Sequence, residues 1–319
     1  MLILEKNMAK DRDPFSRAMR TICAEHLGLS GRESLIIVAD PPLLSLADCM
    51  TRAAEDIGQA CELVEIGEVE KPGKSPPGFT AALLARGAAA LMVTSKSLSH
   101  TAERRTACRK YGVRVASMPG LTEDMILRLF RPGSAALVSK RTLEMAAKLE
   151  GAGIVRVCSR KGTELELSLD GRKILKDSGL YHEPGSFGNL PAGEVCASPV
   201  AGSVRGTLAV DVAFAGLGRV EGLVLEIGRG ILTKARGPES ERIFELLIGN
   251  AERVAGEFGI GTNPLAKPGP VTLEAEKAMG TVHLGFGDNL SFSGKNRASG
   301  HWDAVASYEQ IEVDGRTLN

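Results

Sequence analysis

The sequence predicts an N-terminal doubly wound α/β domain followed by a mainly β, metal-binding domain, and three observations carry that expectation. Short apolar runs alternate with helical patterns up to about residue 145. After about residue 150 the texture changes to strict strand alternation broken by glycines. The final forty residues then gather histidines, carboxylates and glycines in one stretch. A chain of 319 residues is comfortable for two domains with buried cores, expected at 1–145 (α/β) and 150–319 (mainly β, metal-binding and catalytic).

In the first part, Phe15 to Leu27 reads as a helix leading into Ser34-Leu-Ile-Ile-Val-Ala-Asp40, an apolar run suited to a buried parallel strand and closed by Pro41-Pro42. Leu44 to Gln59 then reads as a helix and Cys61 to Ile66 as a strand. Gly78 to Arg86 is the next helix, Ala89 to Thr94 the next strand, His100 to Tyr111 a further helix and Val113 to Ser117 a fourth strand. Four strands alternating with helices are the pattern of a doubly wound sheet. No Gly-x-Gly-x-x-Gly follows a strand and no complete Walker motif appears, so no nucleotide cofactor is expected.

In the second part, Val155-Arg-Val-Cys158 and Glu164-Leu-Glu-Leu-Ser-Leu-Asp170 alternate strictly, and Asp170-Gly171 predicts a hairpin turn. Thr207 to Ala213 and Gly222 to Ile227 add strands. Glu239 to Phe258 predicts one helix with a glycine-rich exit, and Lys140 to Glu150 a helical link between the domains.

Thirty-nine basic and thirty-nine acidic residues cancel, so no broad field draws the chain toward nucleic acid or an anionic membrane. A small-molecule or peptide substrate is the expected partner. The six cysteines lack metal-ligand spacing and read as reduced core thiols. Neither a signal-peptide pattern nor an apolar run of membrane-spanning length is present, and a cytoplasmic protein is expected.

The chemistry concentrates in Gly280-Thr-Val-His283-Leu-Gly-Phe-Gly287, Ser293-Gly-Lys-Asn296 and His301-Trp-Asp303. On a strand, side chains at i and i+2 leave the same face, so His301 and Asp303 can grip one ion while Trp302 turns away. Imidazole with carboxylate suits zinc, manganese, cobalt or ferrous iron. Glu194 emerges from the turn Asn189-Leu-Pro-Ala-Gly, and Glu257 sits in the glycine-rich stretch Ala255-Gly-Glu-Phe-Gly-Ile-Gly-Thr-Asn263. With His283, these residues offer five ligands from four segments, enough for two divalent ions sharing a carboxylate, an arrangement that suggests hydrolysis.

The ordered motifs Asn-Leu-Pro-x-Gly-Glu194-Val, Gly-Glu257-x-x-x-Gly-x-Asn, Gly-Thr-x-His283-x-x-x-Gly, Gly-Lys-Asn and His301-Trp-Asp303 resemble the thermophilic metallo-aminopeptidase family, aminopeptidase T or M29. The resemblance is dense in the C-terminal half and thinner in the N-terminal half. It implies a dimeric, cytoplasmic, two-domain enzyme that removes N-terminal residues from peptides with two divalent ions (Zn, Co or Mn). It assigns Glu194, Glu257, His283, His301 and Asp303 as metal ligands, with Glu257 or Asp303 bridging, and Glu257 and Glu276 as catalytic carboxylates. The spacing from Glu276 to His283 is two residues off the family pattern. Leu290 stands where the family has a tyrosine that stabilises the oxyanion, a loss worth roughly a hundredfold to a thousandfold in turnover, with Asn289, Lys295 and Tyr181 as substitute donors. His182, just upstream of Asn189, is a further pocket candidate.

A ring-cleaving dioxygenase of hydroxylated pyridines resembles the same scaffold and keeps the His-x-Asp pair, with one non-haem Fe(II) and a histidine where this chain has Glu257. Retention of Glu194 and Glu257 favours the two-metal hydrolase on sequence. A catalytically silent metal-binding protein is the third alternative.

Overall fold

The computed structural model describes residues 13–318 of the chain. They form two compact units, one of residues up to 139 together with 177–192, the other of residues 140–176 together with 193 onward. A single cut near residues 145–150 therefore misses a return of the chain into the first unit. The helical link is one helix, Ser134–Leu149, and the change of unit falls inside it.

Among the described residues of the first unit, helix α1 (Pro14–Arg20), whose Asp13 cap accepts from the Ser16 amide, continues as a π-helical turn, Thr21–His26. The strands are β1 (Leu35–Ala39), β2 (Cys61–Glu65), β3 (Ala89–Val93) and β4 (Arg114–Ser117), with helices Leu44–Asp56, Ala81–Leu84 and Ala102–Tyr111 between them. β1 and β3 are buried along their whole length, as a strand covered on both faces must be. Helix Ala102–Tyr111 ends at Gly112, whose φ of 69° is the left-handed conformation that glycine adopts without a Cβ clash.

The chain then leaves through β5 (Ile154–Cys158), β6 (Glu164–Ser168) and β7 (Leu175–Asp177) and returns as β8 (Phe187–Asn189), parallel to β4 with Val115 opposite Phe187. That pairing completes a five-stranded sheet in the order β2-β1-β3-β4-β8. It is a long-range contact that no local pattern in the sequence announces.

The second unit is built from two seven-stranded sheets. Its remaining strands are β9 (Glu194–Ala197), β10 (Arg205–Val210), β11 (Ala213–Phe214), β12 (Gly218–Arg219), β13 (Leu223–Gly228), β14 (Ile231–Arg236), β15 (Ala255–Gly261), β16 (Thr281–Gly287), β17 (His301–Ser307), β18 (Gln310–Val313) and β19 (Arg316–Thr317). The orders are β14-β13-β10-β6-β5-β18-β19 and β12-β11-β17-β16-β15-β9-β7. One apolar core joins them: Val155, Val157, Leu165 and Leu167 from the first sheet cluster with Phe258, Ile260, Leu284 and Phe286 from the second.

Three local expectations need correcting. Asp170-Gly171 makes a turn, closed by the Arg172 amide on the Leu169 carbonyl at 2.9 Å, but β6 pairs with β5 and β10, so no hairpin forms there. The helix expected at Glu239 to Phe258 spans only Ser240–Leu246. Residues from Ala255 onward form β15, because Phe258 and Ile260 alternate with Glu257, Gly259 and Gly261 at the strand period, and that period wins once both faces can be satisfied. Finally, Cys23, Cys108 and Cys196 are core thiols, but Cys49 and Cys158 are exposed. No helix among the described residues is long and apolar enough to cross a membrane.

Phe258 is 2 % exposed at the centre of this core. Phe258→Ala is expected to cost about 3–5 kcal/mol of stability, measured by urea denaturation of the metal-free protein.

Candidate metal centre

Four adjacent strands, β9, β15, β16 and β17, carry the predicted ligands on one face. On β9, Val195 and Ala197 enter the core, which leaves Glu194 and Cys196 on the opposite face. By the same alternation Phe258 and Ile260 release Glu257, Leu284 and Phe286 release His283, and Trp302 and Ala304 release His301 and Asp303. The antiparallel registers set Glu194 opposite Gly261, Cys196 and His283 opposite Gly259, Glu257 and Asp303 opposite Gly285, and His301 opposite Gly287. Functional side chains and glycines thus alternate like the squares of a board.

The glycines are there for room. A Cβ on Gly259 would overlap the His283 ring, and one on Gly285 would overlap the His301 ring. A Cβ on Gly261 would strike the Ala278 carbonyl. Only glycine allows imidazoles and the end of helix Thr272–Lys277 to lie this close to the sheet.

Glu257 is the centre of the cluster. Its Oε2 lies 2.9 Å from His301 Nε2 and its Oε1 lies 3.6 Å from His283 Nε2. His301 Nε2 is also 3.1 Å from Asp303 Oδ1, and His283 Nε2 is 3.5 Å from Glu194 Oε2. Lys277, on the last turn of its helix and 1 % exposed, places Nζ 2.5 Å from Glu194 Oε1 and 3.0 Å from Glu276 Oε1. Helix and strand are tied by the Asn263 amide donating to the Lys277 carbonyl at 2.9 Å.

This donor set fits a divalent cation. His301 Nδ1 donates to the Asp288 carbonyl at 2.8 Å, so in the neutral ring Nε2 carries the lone pair. That lone pair faces two carboxylate oxygens, and three acceptors meet stably only with a proton or a cation among them. Donor atoms of Glu257, His301 and Asp303 lie within 4.8 Å of one another, as do those of Glu194, Cys196 and Glu257. Glu194 Oε2 and His283 Nδ1 are buried without a hydrogen-bond partner.

The titration pattern says the same. Burial pushes the Glu257 carboxyl up, but the His283 and His301 imidazoles outweigh it and hold the group well below the usual carboxylate range. Burial disfavours charge on both imidazoles, yet His283 rises to about 9 because Glu257, Glu194 and Asp303 surround it. His301 is likewise held well above its ordinary value by Asp303 and Glu257. Asp303, raised by burial, is brought below its ordinary value by His301. Burial, helped by the Asp303 and Glu194 charges, pushes Glu276 up to about 8 against the pull of Lys277. Cys196 is raised well above its ordinary value by burial and by Glu257 and Glu194, so it stays a neutral thiol. Protons collect on the imidazoles because the carboxylates require positive charge.

Every residue predicted as a ligand or catalytic group, Glu194, Glu257, Glu276, His283, His301 and Asp303, is brought into this cluster. Lys277 and Cys196 were missed. The same-face rule applied to Glu194 points to Cys196, whereas nothing local marks Lys277 as buried. Of the proposed oxyanion substitutes, Asn289 and Tyr181 are engaged in other hydrogen bonds. Leu290 is 45 % exposed. The Asn289 amide donates to Ser198 and Gly256, and Lys295 is exposed. Tyr181 belongs to the first unit, its hydroxyl 2.6 Å from both Asp177 and the Asn189 carbonyl, and His182 is bound there to the Glu25 carbonyl.

The family model of NicX, 2,5-dihydroxypyridine 5,6-dioxygenase, matches residues 31–241. Among solved structures, the chain is similar to a 2,5-dihydroxypyridine dioxygenase from Pseudomonas putida KT2440, at 18% identity over 95% of each chain with a TM-score of 0.73. It is also similar to wild-type AmpT from Thermus thermophilus, at 19% identity over 95% of each chain with a TM-score of 0.67. At these identities the likenesses establish the shared mixed α/β fold. No curated protein matches the chain.

Two outcomes are expected. Gly285→Ala should lower the affinity for a divalent ion roughly 10–100-fold by displacing the His301 ring, with the circular dichroism spectrum unchanged; titration calorimetry measures it. Metal must also displace the imidazole protons, so binding near pH 7 should release protons, seen as a buffer-dependent binding enthalpy, and affinity should rise with pH until about 9. The metal-free protein should behave oppositely. Its histidine values are raised on folding, so their stabilisation is full below about 6.5 and lost as pH passes about 9.

Proposed function

The chain belongs to the NicX family, that of 2,5-dihydroxypyridine 5,6-dioxygenase, and on that premise we propose that it is a metal-dependent dioxygenase that opens a hydroxylated nitrogen-heteroaromatic ring with ferrous iron. The observation that carries this proposal is the convergence of His301 Nε2 with Glu257 Oε2 and Asp303 Oδ1 on one sheet face. Histidine nitrogen and carboxylate oxygen are donors that suit ferrous iron and leave coordination positions open for reactants.

His301, Asp303 and Glu257 would hold the ion, with His283 alongside; bound there, iron supplies the redox chemistry that lets dioxygen react with an aromatic ring. The protein's own part is orientation and proton placement. The Asp288 carbonyl fixes the His301 tautomer and turns Nε2 inward. Glu257 stays ionised and keeps both oxygens as acceptors. Burial pushes Glu276 up to about 8 against the pull of Lys277, whose ammonium donates to its Oε1.

A second reading, a metal-dependent aminopeptidase, draws support from the retained Glu194 and from Glu257, which turns one oxygen to each imidazole, as a carboxylate bridging two ions would. Against it, the exposed Leu290 has no donor to offer an oxyanion.

The test is oxygen uptake on 2,5-dihydroxypyridine by protein loaded anaerobically with ferrous iron. One dioxygen consumed per ring opened is expected, with His301→Ala losing at least roughly a hundredfold. Release of N-terminal residues from a peptide panel without oxygen, and no uptake on the pyridine, would overturn the dioxygenase in favour of the hydrolase.

A further inference from the structure

Two half-sites can be drawn around Glu257. One is His301 Nε2 and Asp303 Oδ1 on the Oε2 side. The other is His283 Nε2 and Glu194 Oε2 on the Oε1 side. The halves are not equivalent. Beside the second, the Lys277 ammonium draws in Glu194 Oε1 at 2.5 Å and Glu276 Oε1 at 3.0 Å. Two carboxylates from separate elements, strand β9 and helix Thr272–Lys277, converge on one positive centre, which is what a divalent ion in a carboxylate-rich site requires.

We propose that the Lys277 ammonium takes the place of a second divalent cation, so that the centre accepts one ion, at His301, Asp303 and Glu257. The proposal rests on the preceding function only in the premise that a divalent ion binds here. Three features of the chain support it. Lys277 is among the most deeply buried long side chains, and an ammonium is kept in such a place only when paired. Its position is fixed by backbone: the Lys277 carbonyl receives the Asn263 amide, and Gly261 clears the space that lets the helix end sit against β15. A fixed charge next to Glu194 repels any second cation approaching His283 and neutralises the carboxylates that would attract it. Glu194 and Glu276 then serve the ammonium, and the asymmetry of the site follows from one residue.

The probe is Mn(II), counted per chain by elemental analysis after equilibrium dialysis and read by electron paramagnetic resonance, which distinguishes an isolated ion from an exchange-coupled pair. The native protein should hold one ion with an uncoupled spectrum. Lys277→Gln should gain a second ion and a coupled signal, while Lys277→Arg, which keeps the charge, should stay at one. In the native background Glu194→Gln should change the dissociation constant of the single ion by no more than about threefold, because Glu194 answers to the ammonium and not to the metal. That variant decides the matter if Lys277→Gln fails to fold. Two ions in the native chain, one ion in a folded Lys277→Gln, or a loss of more than about tenfold in Glu194→Gln would each overturn the proposal and leave the metal-dependent reading standing. No Mn(II) on the native chain would overturn both.

Discussion

A buried carboxylate that turns one oxygen toward each of two imidazoles is the constraint on which the second unit depends. Glu257 lies 2.9 Å from His301 Nε2 and 3.6 Å from His283 Nε2, with Asp303 and Glu194 behind them. Without a cation the group can exist only by taking up protons, and the raised histidine values record that demand. Such a cluster is costly to bury, and the geometry around it makes the cost tolerable. The core of Phe258, Leu284 and Phe286 holds the sheet from below. Above, glycines at 259 and 285 let the rings come close to it.

The same constraint separates the chemistries open to this scaffold. Glu257 as a shared ligand suits two ions, and a carboxylate beside a single His-x-Asp pair suits one. The decision falls to groups outside that pair. Lys277 places positive charge beside Glu194 and Glu276, and the exposed Leu290 offers no hydroxyl. Both features favour the proposed single-ion centre over a symmetrical pair of ions.

Much of this was legible in the sequence because it is local. The apolar runs at Leu35–Ala39 and Ala89–Val93 announced the parallel sheet, and the i, i+2 rule placed His301 and Asp303 together with Trp302 turned to the core. What was illegible depends on distant contacts. Glu257 looked like the end of a helix, since Gly256, Gly259 and Gly261 lower strand propensity; their value appears only when the His283 ring and the Ala278 carbonyl come to rest on them. Phe187–Asn189 joins the first sheet by pairing with β4, some seventy residues earlier. Lys277 reads as an ordinary solvated helix residue, and its burial is set by carboxylates that meet only in the fold.

The most direct test of the account is anomalous diffraction at the iron edge from crystals grown anaerobically with ferrous iron. The account predicts one peak per chain, at roughly 2.0–2.2 Å from His301 Nε2 and from oxygens of Asp303 and Glu257, with no second peak beside Glu194. A peak coordinated elsewhere, or none at full ferrous loading, would contradict it.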